Sequence, residues 1–359
     1  MKQKIYFYYP NIVNDGIKKT FKIYYNYLKK NYNVVLVSSL DTKLAKEYKK
    51  NYVSSFLRFK NFKILNSILC ALKIILLRDK NKIVFSLDDH LIILIFRLIG
   101  FNFKLALRTA NPIYNIYNKD EIRFLKNKGF TNKYETYLYK YADLVITYSK
   151  QNVLSLKKKF KVKNVHLIYN FFEKHNFKKK IKKKTYNIFF IGRFVDSKDP
   201  VFFIKNMLKL IGKINIKVYL LGEGILKDEL ENISKRFKKN IKILKFIKKP
   251  FDRYKNKIDL LCVTSKFDGT PNVLGEAISK SIPCLAPKNV GLANILLNNG
   301  KSGYLYKQNN DESFQLNVLS AIKNYSNAIR KSKIAFNGLN KFSKKNTLQK
   351  LDALIKKLN

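Results

Sequence analysis

Residues 172–191 read FEKHNFKKKIKKKTYNIFFI, and this stretch divides the chain. Its first part is a lysine block that repels itself and cannot pack, so it reads as a solvated linker. Its last part, YNIFFI, is a short apolar run of the kind that forms a strand covered on both faces. A new sheet therefore starts at residue 186, after a linker at 173–185.

Outward from that break, both halves alternate short apolar runs with longer helical patterns, the signature of a parallel α/β sheet. Before it, residues 4–9, 33–38, 82–86, 104–107, 144–147 and 166–168 read as strands, and residues 17–28 as a helix after the loop Asn14-Asp15-Gly16. Beyond it, strands are predicted at 186–191, 217–221, 241–246, 260–264 and 283–286, with an amphipathic helix at 347–358. The expected organisation is an N-terminal α/β domain at 1–172, a basic linker at 173–185, a C-terminal α/β domain at 186–340, and a helical segment at 341–359 free to pack back on the first domain. Two successive open sheets place a ligand cleft between them, at the carboxyl ends of the strands.

With 359 residues, 46% of them hydrophobic, the chain has material for two cores of ordinary size. Lys and Arg number 73 against 24 Asp and Glu, a formal net charge of +49. Such a surplus favours polyanions, either nucleic acid or an anionic membrane surface. Part of it reflects the abundance of Lys, Asn and Ile expected of A+T-rich coding, since lysine on a solvated face costs little. Cys70, Cys262 and Cys284 form no C-x-x-C pair, so neither a zinc site nor a disulfide framework is indicated, and a reducing cytoplasm fits. The opening MKQKIYFYYPNIVNDG lacks the apolar core and cleavage site of a signal peptide. No run approaches the roughly 18 apolar residues of a membrane span. Residues 64–77 are interrupted by Asn66 and Lys73, and residues 91–101 by Arg97. A cytoplasmic protein, peripheral at the inner face of the cytoplasmic membrane, is expected. Within residues 60–77, Ile64, Leu65, Ile68, Leu69, Leu72, Ile75 and Leu76 recur at helical spacing, and packing of that helix against its own sheet is favoured over membrane insertion.

Two loops carry the chemistry. FFIGRFVDSK, residues 189–198, leaves its strand at Gly192 and holds Arg193 and Lys198 just beyond it. Glycine permits the tight exit, the guanidinium can grip a phosphate with two donors, and the ammonium adds a point charge. Two cations there suit a diphosphate leaving group, although in a lysine-rich chain they are equally well two surface side chains. FDGTPNVLGEA, residues 267–277, opens a helix through Gly269, Thr270, Pro271 and Asn272, and a helix start turns free N–H groups towards an anion. Asp268 can accept hydrogen bonds from sugar hydroxyls, and Glu276, about one turn into the helix, can hold both hydroxyls of a ribose. Taken singly, each acid is better explained by the helix, Asp268 as its cap and Glu276 as a first-turn charge.

Their order changes that balance. GRFVDSKD at 192–199, LLGEG at 220–224 and DGTPNVLGEAISKSIPCLA at 268–286, with the Gly291 and Gly303 turns downstream, occur in one chain, each after a predicted strand. In this the chain resembles the retaining GT-B glycosyltransferases of family 4, the glycosyl transferases group 1. The resemblance covers residues 142–306 well, including ADLVITYSKQNVLSLKKKFKVKNVHLIYN at 142–170, and residues 1–40 weakly. It implies a GT-B architecture of two Rossmann-like domains with parallel sheets facing a central cleft. It implies a metal-independent, hexosyltransferase-type reaction that moves a sugar with retention from a nucleotide-diphosphate sugar. The donor implied is a UDP-linked hexose or N-acetylhexosamine, and the acceptor a lipid-linked, polysaccharide or lipopolysaccharide glycan of the bacterial surface. No cofactor is expected beyond that donor substrate, and no nucleic-acid partner.

Carried over residue by residue, the resemblance implies that Arg193 and Lys198 bind the donor diphosphate and stabilise its departure. Asp268 contacts the donor sugar and Glu276 holds the ribose. Gly192, Gly222, Gly269, Thr270, Pro271, Asn272, Val273 and Leu274 line the phosphates and sugar, and Gly16 matches an N-terminal glycine loop. The chain departs from the pattern at three places. Asp268 replaces the usual Glu, Asp15 replaces a second glycine, and LALRTANP at 105–112 stands where many relatives carry a histidine. Arg108, Thr109 and Asn111 are therefore the candidates for acceptor or sugar contacts.

Other readings are weaker. Asp88 and Asp89 are adjacent, not the Asp-x-Asp of a metal-dependent GT-A site, and read as a loop or helix start. With Arg193 and Lys198 at the leaving group, no metal is required. His90, His166 and His175 fall away from the motifs, and His166 and His175 read as structural. A nucleic-acid-binding protein would cluster its charge on a recognisable module, whereas these lysines are spread throughout. A nucleotide-sugar epimerase of related fold relies on acids and histidines that do not occur here.

Overall fold

The computed structural model describes residues 2–12, 16–55, 57, 59, 62–79, 81–109, 131–174, 184–266, 268 and 271–358. The chain forms two compact units, one of residues 1–169 with 345–359 and the other of residues 170–344.

In the first unit, the described strands are β1 (Lys4–Tyr8), β2 (Asn33–Ser38), β3 (Tyr52–Ser54), β4 (Ile83–Ser86), β5 (Lys104–Arg108), β6 (Leu144–Thr147) and β7 (Val165–Leu167), all parallel in the order β3-β2-β1-β4-β5-β6-β7. Side chains alternate across this sheet, so Ile5 and Phe7 enter one core while Tyr6 and Tyr8 enter the other. The Ile5 face is closed by helix Gly16–Leu28 and by helix Lys344–Lys356, whose Leu348, Leu351 and Ile355 are buried there. The Tyr6 face lies under helices Lys63–Leu76, His90–Leu98, Thr131–Leu138 and Lys150–Lys158.

Helix Lys63–Leu76 does lie on the sheet, but with an unexpected orientation. It turns Asn66, Ser67, Cys70, Ala71 and Ile74 inward and leaves Ile64, Leu65, Leu72 and Leu76 exposed. The sheet is already filled with tyrosines on that side: Tyr8 donates its hydroxyl to the Ser67 carbonyl (2.8 Å), and Asn66 bonds to Asn11 (3.0 Å) and to the backbone of residue 59.

The second unit has strands β8 (Tyr186–Ile191), β9 (Ile216–Leu221), β10 (Ile241–Leu244), β11 (Leu260–Cys262), β12 (Cys284–Pro287) and β13 (Tyr304–Tyr306), parallel in the order β10-β9-β8-β11-β12-β13. Helix Pro200–Leu210 starts with proline at its first position and Asp199 as its cap, accepting from the Phe202 N–H (3.1 Å). Helix Asp311–Lys323 is capped by Asn310 and carries two acids in its first turn.

Phe172, assigned by sequence to the first domain, packs in the second: its N–H donates to the Phe342 carbonyl (3.2 Å), and the two rings touch. Residues 339–342 also belong to the second unit, as a 3-10 turn, so the helix that enters the first unit begins at Lys344. Most of the lysine block, with His175, lies outside the described residues.

Candidate functional site

In each sheet the strand order reverses beside the first strand, between β1 and β4 in one unit and between β8 and β11 in the other. Loops leaving such neighbouring strands diverge and open a crevice at their carboxyl ends, where open α/β sheets bind ligands. In the second unit those loops hold the two motifs read from the sequence.

The loop after β8 is sewn to the loop after β9. Gly192 N–H donates to the Leu221 carbonyl (3.0 Å), Phe194 N–H to the Glu223 carbonyl (2.8 Å), and Leu226 N–H to the Phe194 carbonyl (3.1 Å). A β-carbon on Gly222 would stand 1.9 Å from the Gly192 oxygen. Gly222 is thus required by this backbone approach, whatever else it touches. A β-carbon on Gly224, at φ +153°, would stand 2.3 Å from the Phe194 oxygen. Phe194 itself is anchored in the core, which holds the neighbouring Arg193 at the surface. Arg193 makes no hydrogen bond or ion pair among the described residues.

Lys198 ends the short turn Asp196–Lys198, and its ammonium pairs with the Asp268 carboxylate. The loops after β8 and β11 are joined in the backbone as well. Thr264 Oγ1 faces the carbonyls of Lys198 and Asp199 (3.0 and 2.9 Å), and Lys266 N–H donates to the Ser197 carbonyl (3.0 Å). Lys266 Nζ sits 2.6 Å from Asp196 and 3.5 Å from Asp199. Burial pulls this ammonium's pKa down, but hydrogen bonds and charge from the two aspartates outweigh it and hold the pKa above its usual range. Burial raises the pKa of Asp199. Sequence reading missed Lys266, because one more lysine carries no signal until the two aspartates some seventy positions away are seen beside it.

Helix Asn272–Ile278 begins after Pro271 and has no side-chain cap. Asp268, read as a possible cap, is instead on Lys198. Pro271 has no N–H, and the Leu274 and Gly275 N–H groups donate to the Pro271 carbonyl (2.9 and 3.3 Å). Among the described residues of this first turn, the amides not turned back on the Pro271 carbonyl are those of Asn272 and Val273. Asn272 accepts from the Asn170 amide (3.1 Å), Leu274 is buried in the interior, and Glu276 is half-buried at the helix's fifth position. Gly269 and Thr270 lie outside the described residues.

In the first unit, Gly16 begins the helix that follows β1. Arg108 ends β5 and is buried, its Nε donating to the Tyr24 hydroxyl (3.3 Å) and its guanidinium lying over the Tyr24 ring. This is a seat inside the fold and not an open contact for a sugar. Thr109 is also buried, and its Oγ1 has no hydrogen-bond partner among the described residues. Asn111 lies outside them. Asp89, at φ 52°, precedes helix His90–Leu98 and accepts from the Asn11 amide (2.7 Å). His90 is buried against Ser86 (2.7 Å), with burial pushing its pKa down to about 4, and His166 lies in β7. Among the described residues, no group of three His, Cys, Asp or Glu could hold a metal ion, and no helix is long and apolar enough to cross a membrane.

Residues 171–337 match the family model for glycosyl transferases group 1. Over 238 residues the chain is 28% identical to N-acetylgalactosamine-N,N'-diacetylbacillosaminyl-diphospho-undecaprenol 4-alpha-N-acetylgalactosaminyltransferase of Campylobacter jejuni, covering 64% of this chain and 63% of that protein. Over 258 residues it is 28% identical to the capsular polysaccharide biosynthesis glycosyltransferase CapH of Staphylococcus aureus, covering 68% of this chain and 67% of that one. The chain thus spans just under two thirds of the first relative's length. Anabaena HepE in complex with UDP superposes with a TM-score of 0.76 at 13% identity, over 99% of this chain and 100% of that one. A glycosyltransferase from Rickettsia africae superposes with a TM-score of 0.73 at 16% identity, over 99% and 98%. The fold class is that of the GT-B glycosyltransferases, two parallel-sheet α/β domains.

Proposed function

We propose that the chain is a hexosyltransferase-type glycosyltransferase that moves a sugar, with retention, from a UDP-linked hexose or N-acetylhexosamine to a lipid-linked or polysaccharide glycan acceptor. Arg193 carries the reading: an exposed guanidinium without a partner among the described residues, held by its core-anchored neighbour at the carboxyl end of β8. Breaking the bond between sugar C1 and the diphosphate leaves an electron pair on a phosphate oxygen. Arg193 meets that charge with its forked donors, and Lys198 adds a second positive charge once a phosphate competes with Asp268 for its ammonium. With two fixed cations there, the departure proceeds without a divalent metal. Asp268, released from Lys198, accepts from donor-sugar hydroxyls, and Glu276 from the ribose diol.

The match over 171–337 supports this reading, since it contains all four residues. The acceptor class follows the relatives, one named for a diphospho-undecaprenol-linked substrate and another for capsular polysaccharide. A net charge of +49 supports a protein held at the anionic inner leaflet of the cytoplasmic membrane, and the spread of its lysines along the chain, with no clustered module, speaks against a nucleic-acid partner. The test is incubation of the protein with UDP-hexoses and a polyprenyl-diphosphate-linked sugar. The expected result is a new glycosidic product of retained anomeric configuration with release of UDP. Conversion of the nucleotide sugar alone to its epimer, with no transfer, would overturn the reading.

A further inference from the structure

Three carboxylates share two loops of the second unit with Lys198. Asp268, in the loop after β11, pairs with its ammonium. Asp196 opens the short turn that Lys198 ends, and Asp199 follows that turn directly. Asp199 is fixed in place: at φ 48° it caps helix Pro200–Leu210, accepting from the Phe202 N–H, and its side chain is only 13% exposed. A charge held there acts on its neighbours with less screening than one in open water. Left unneutralised, Asp196 and Asp199 would repel an incoming diphosphate and offer Lys198 rival partners.

Among the described residues, Lys266 is the cation within ion-pair distance of both, at 2.6 and 3.5 Å. Its ammonium is not what joins the two loops, because the backbone already does so. Lys266 N–H donates to the Ser197 carbonyl (3.0 Å), its own carbonyl accepts from Gln308 Nε2 (2.7 Å), and Thr264 Oγ1 faces the carbonyls of Lys198 and Asp199. None of these bonds needs a particular side chain at position 266. What the ammonium adds is charge. Burial works against that charge, but the two aspartates outweigh it and keep the group protonated.

We infer that Lys266 is a positioning residue for the donor diphosphate: it holds the negative charge of Asp196 and Asp199, so that Asp268 is the one carboxylate a phosphate must displace from Lys198 among the described residues. The inference rests on the reading that a nucleotide diphosphate binds at Lys198. Across residues 192–199 and 263–271 the charges balance, with Arg193, Lys198 and Lys266 set against Asp196, Asp199 and Asp268. Losing Lys266 leaves these loops net negative where an anion has to enter. Lys266 touches neither sugar nor phosphate in this scheme and acts through Lys198.

Titration calorimetry with UDP tests this. Lys266→Gln keeps a hydrogen-bond donor but removes the charge, and should bind UDP about five- to tenfold more weakly, the scale of one partly screened charge near a polyanion. The deficit should narrow as salt is raised, and Lys266→Arg, which restores the charge, should recover it. Asp196→Asn alters a side chain that is 66% exposed, so it should fold normally and bind UDP about two- to threefold more tightly than the wild type. Added to Lys266→Gln, it should recover most of the loss, whereas a tie that merely joined two loops would be weakened further. Wild-type affinity in Lys266→Gln, a double variant no tighter than Lys266→Gln, or Asp196→Asn no tighter than the wild type would each overturn the inference. A wild type that binds no UDP would instead overturn the donor reading, and this inference with it.

Discussion

The ring of Phe172 fills the space in which a β-carbon on Gly275 would stand, with two ring atoms 2.2 Å from that position. Phe172 is buried and backed by Phe342, so the ring cannot simply swing away. The glycine is therefore part of how helix Asn272–Ile278, with Glu276 on it, is seated in the second unit.

Replacing Gly275 by Ala tests this directly. Alanine would gain about 0.5–1 kcal/mol of helix propensity, whereas overpacking a filled interior costs about 1–3 kcal/mol. The second effect wins, and urea unfolding should show Gly275→Ala destabilised by about 1–2 kcal/mol. Phe172→Leu added to it should recover part of the loss, so that the double variant is more stable than the two single effects summed.

Arg193→Ala should reduce turnover by roughly two to three orders of magnitude, the scale of losing one preorganised electrostatic donor. Its side chain is exposed and makes no pairing among the described residues, so unfolding should shift by less than about 0.5 kcal/mol. Near-normal turnover in the folded variant would remove Arg193 from the site.

Asp268→Asn separates two roles that the ion pair with Lys198 joins. With its carboxylate gone, Lys198 is free for phosphate, and titration calorimetry should find UDP bound several-fold more tightly. Turnover with the complete donor should fall by about tenfold or more, because the sugar loses its acceptor group. Weakened UDP binding would show that Asp268 serves the diphosphate and not the sugar.

On the proposed reading Arg193 and Lys198 supply the charge that a metal would otherwise provide, so activity should survive EDTA. Loss on chelation, with recovery on adding manganese or magnesium, would show a metal at the leaving group.

Two buried groups of the first unit should tilt stability with pH in opposite directions. Burial holds His90 down at about 4, so the unfolded chain takes up a proton near 6.5 that the folded one refuses, and stability falls as pH drops through that window. A shift of that size corresponds to about 3 kcal/mol. Glu135 is held up at about 7, by burial first and also by the charges of Asp88 and Asp89. Its contribution is present below about 4.5 and is lost as pH rises towards 7. Urea unfolding between pH 4 and 8 should show His90→Gln removing a rise in stability between about pH 4 and 6.5, and Glu135→Gln removing a fall between about pH 4.5 and 7.

Strands Asn33–Ser38, Leu144–Thr147 and Tyr186–Ile191 were legible to the residue, because each is an apolar run on a sheet buried from both sides. β3 and β13, three residues each at a sheet edge, were not read, whereas β7, equally short and also at an edge, was read one residue late. Apolar spacing identified helix Lys63–Leu76 but could not say which side faces inward; that depended on the tyrosines already filling the sheet. The site was legible as two loops. Its internal pairings were not: Lys198 with Asp268, Lys266 with Asp196 and Asp199, and Phe172 with Gly275 all join positions far apart in the chain.

Helix Lys344–Lys356 has a consequence for how the protein is made. Residues 170–344 leave the ribosome with every described strand of their sheet, while the first unit still lacks Leu348, Leu351 and Ile355 for its Ile5 face. Synthesis from residue 170 to residue 358 takes roughly 10–40 s at about 5–20 residues per second. Through that interval the earlier-translated unit waits with an open apolar surface, while the later one is able to fold ahead of it. A chaperone that attends this chain during translation would be expected to hold that surface.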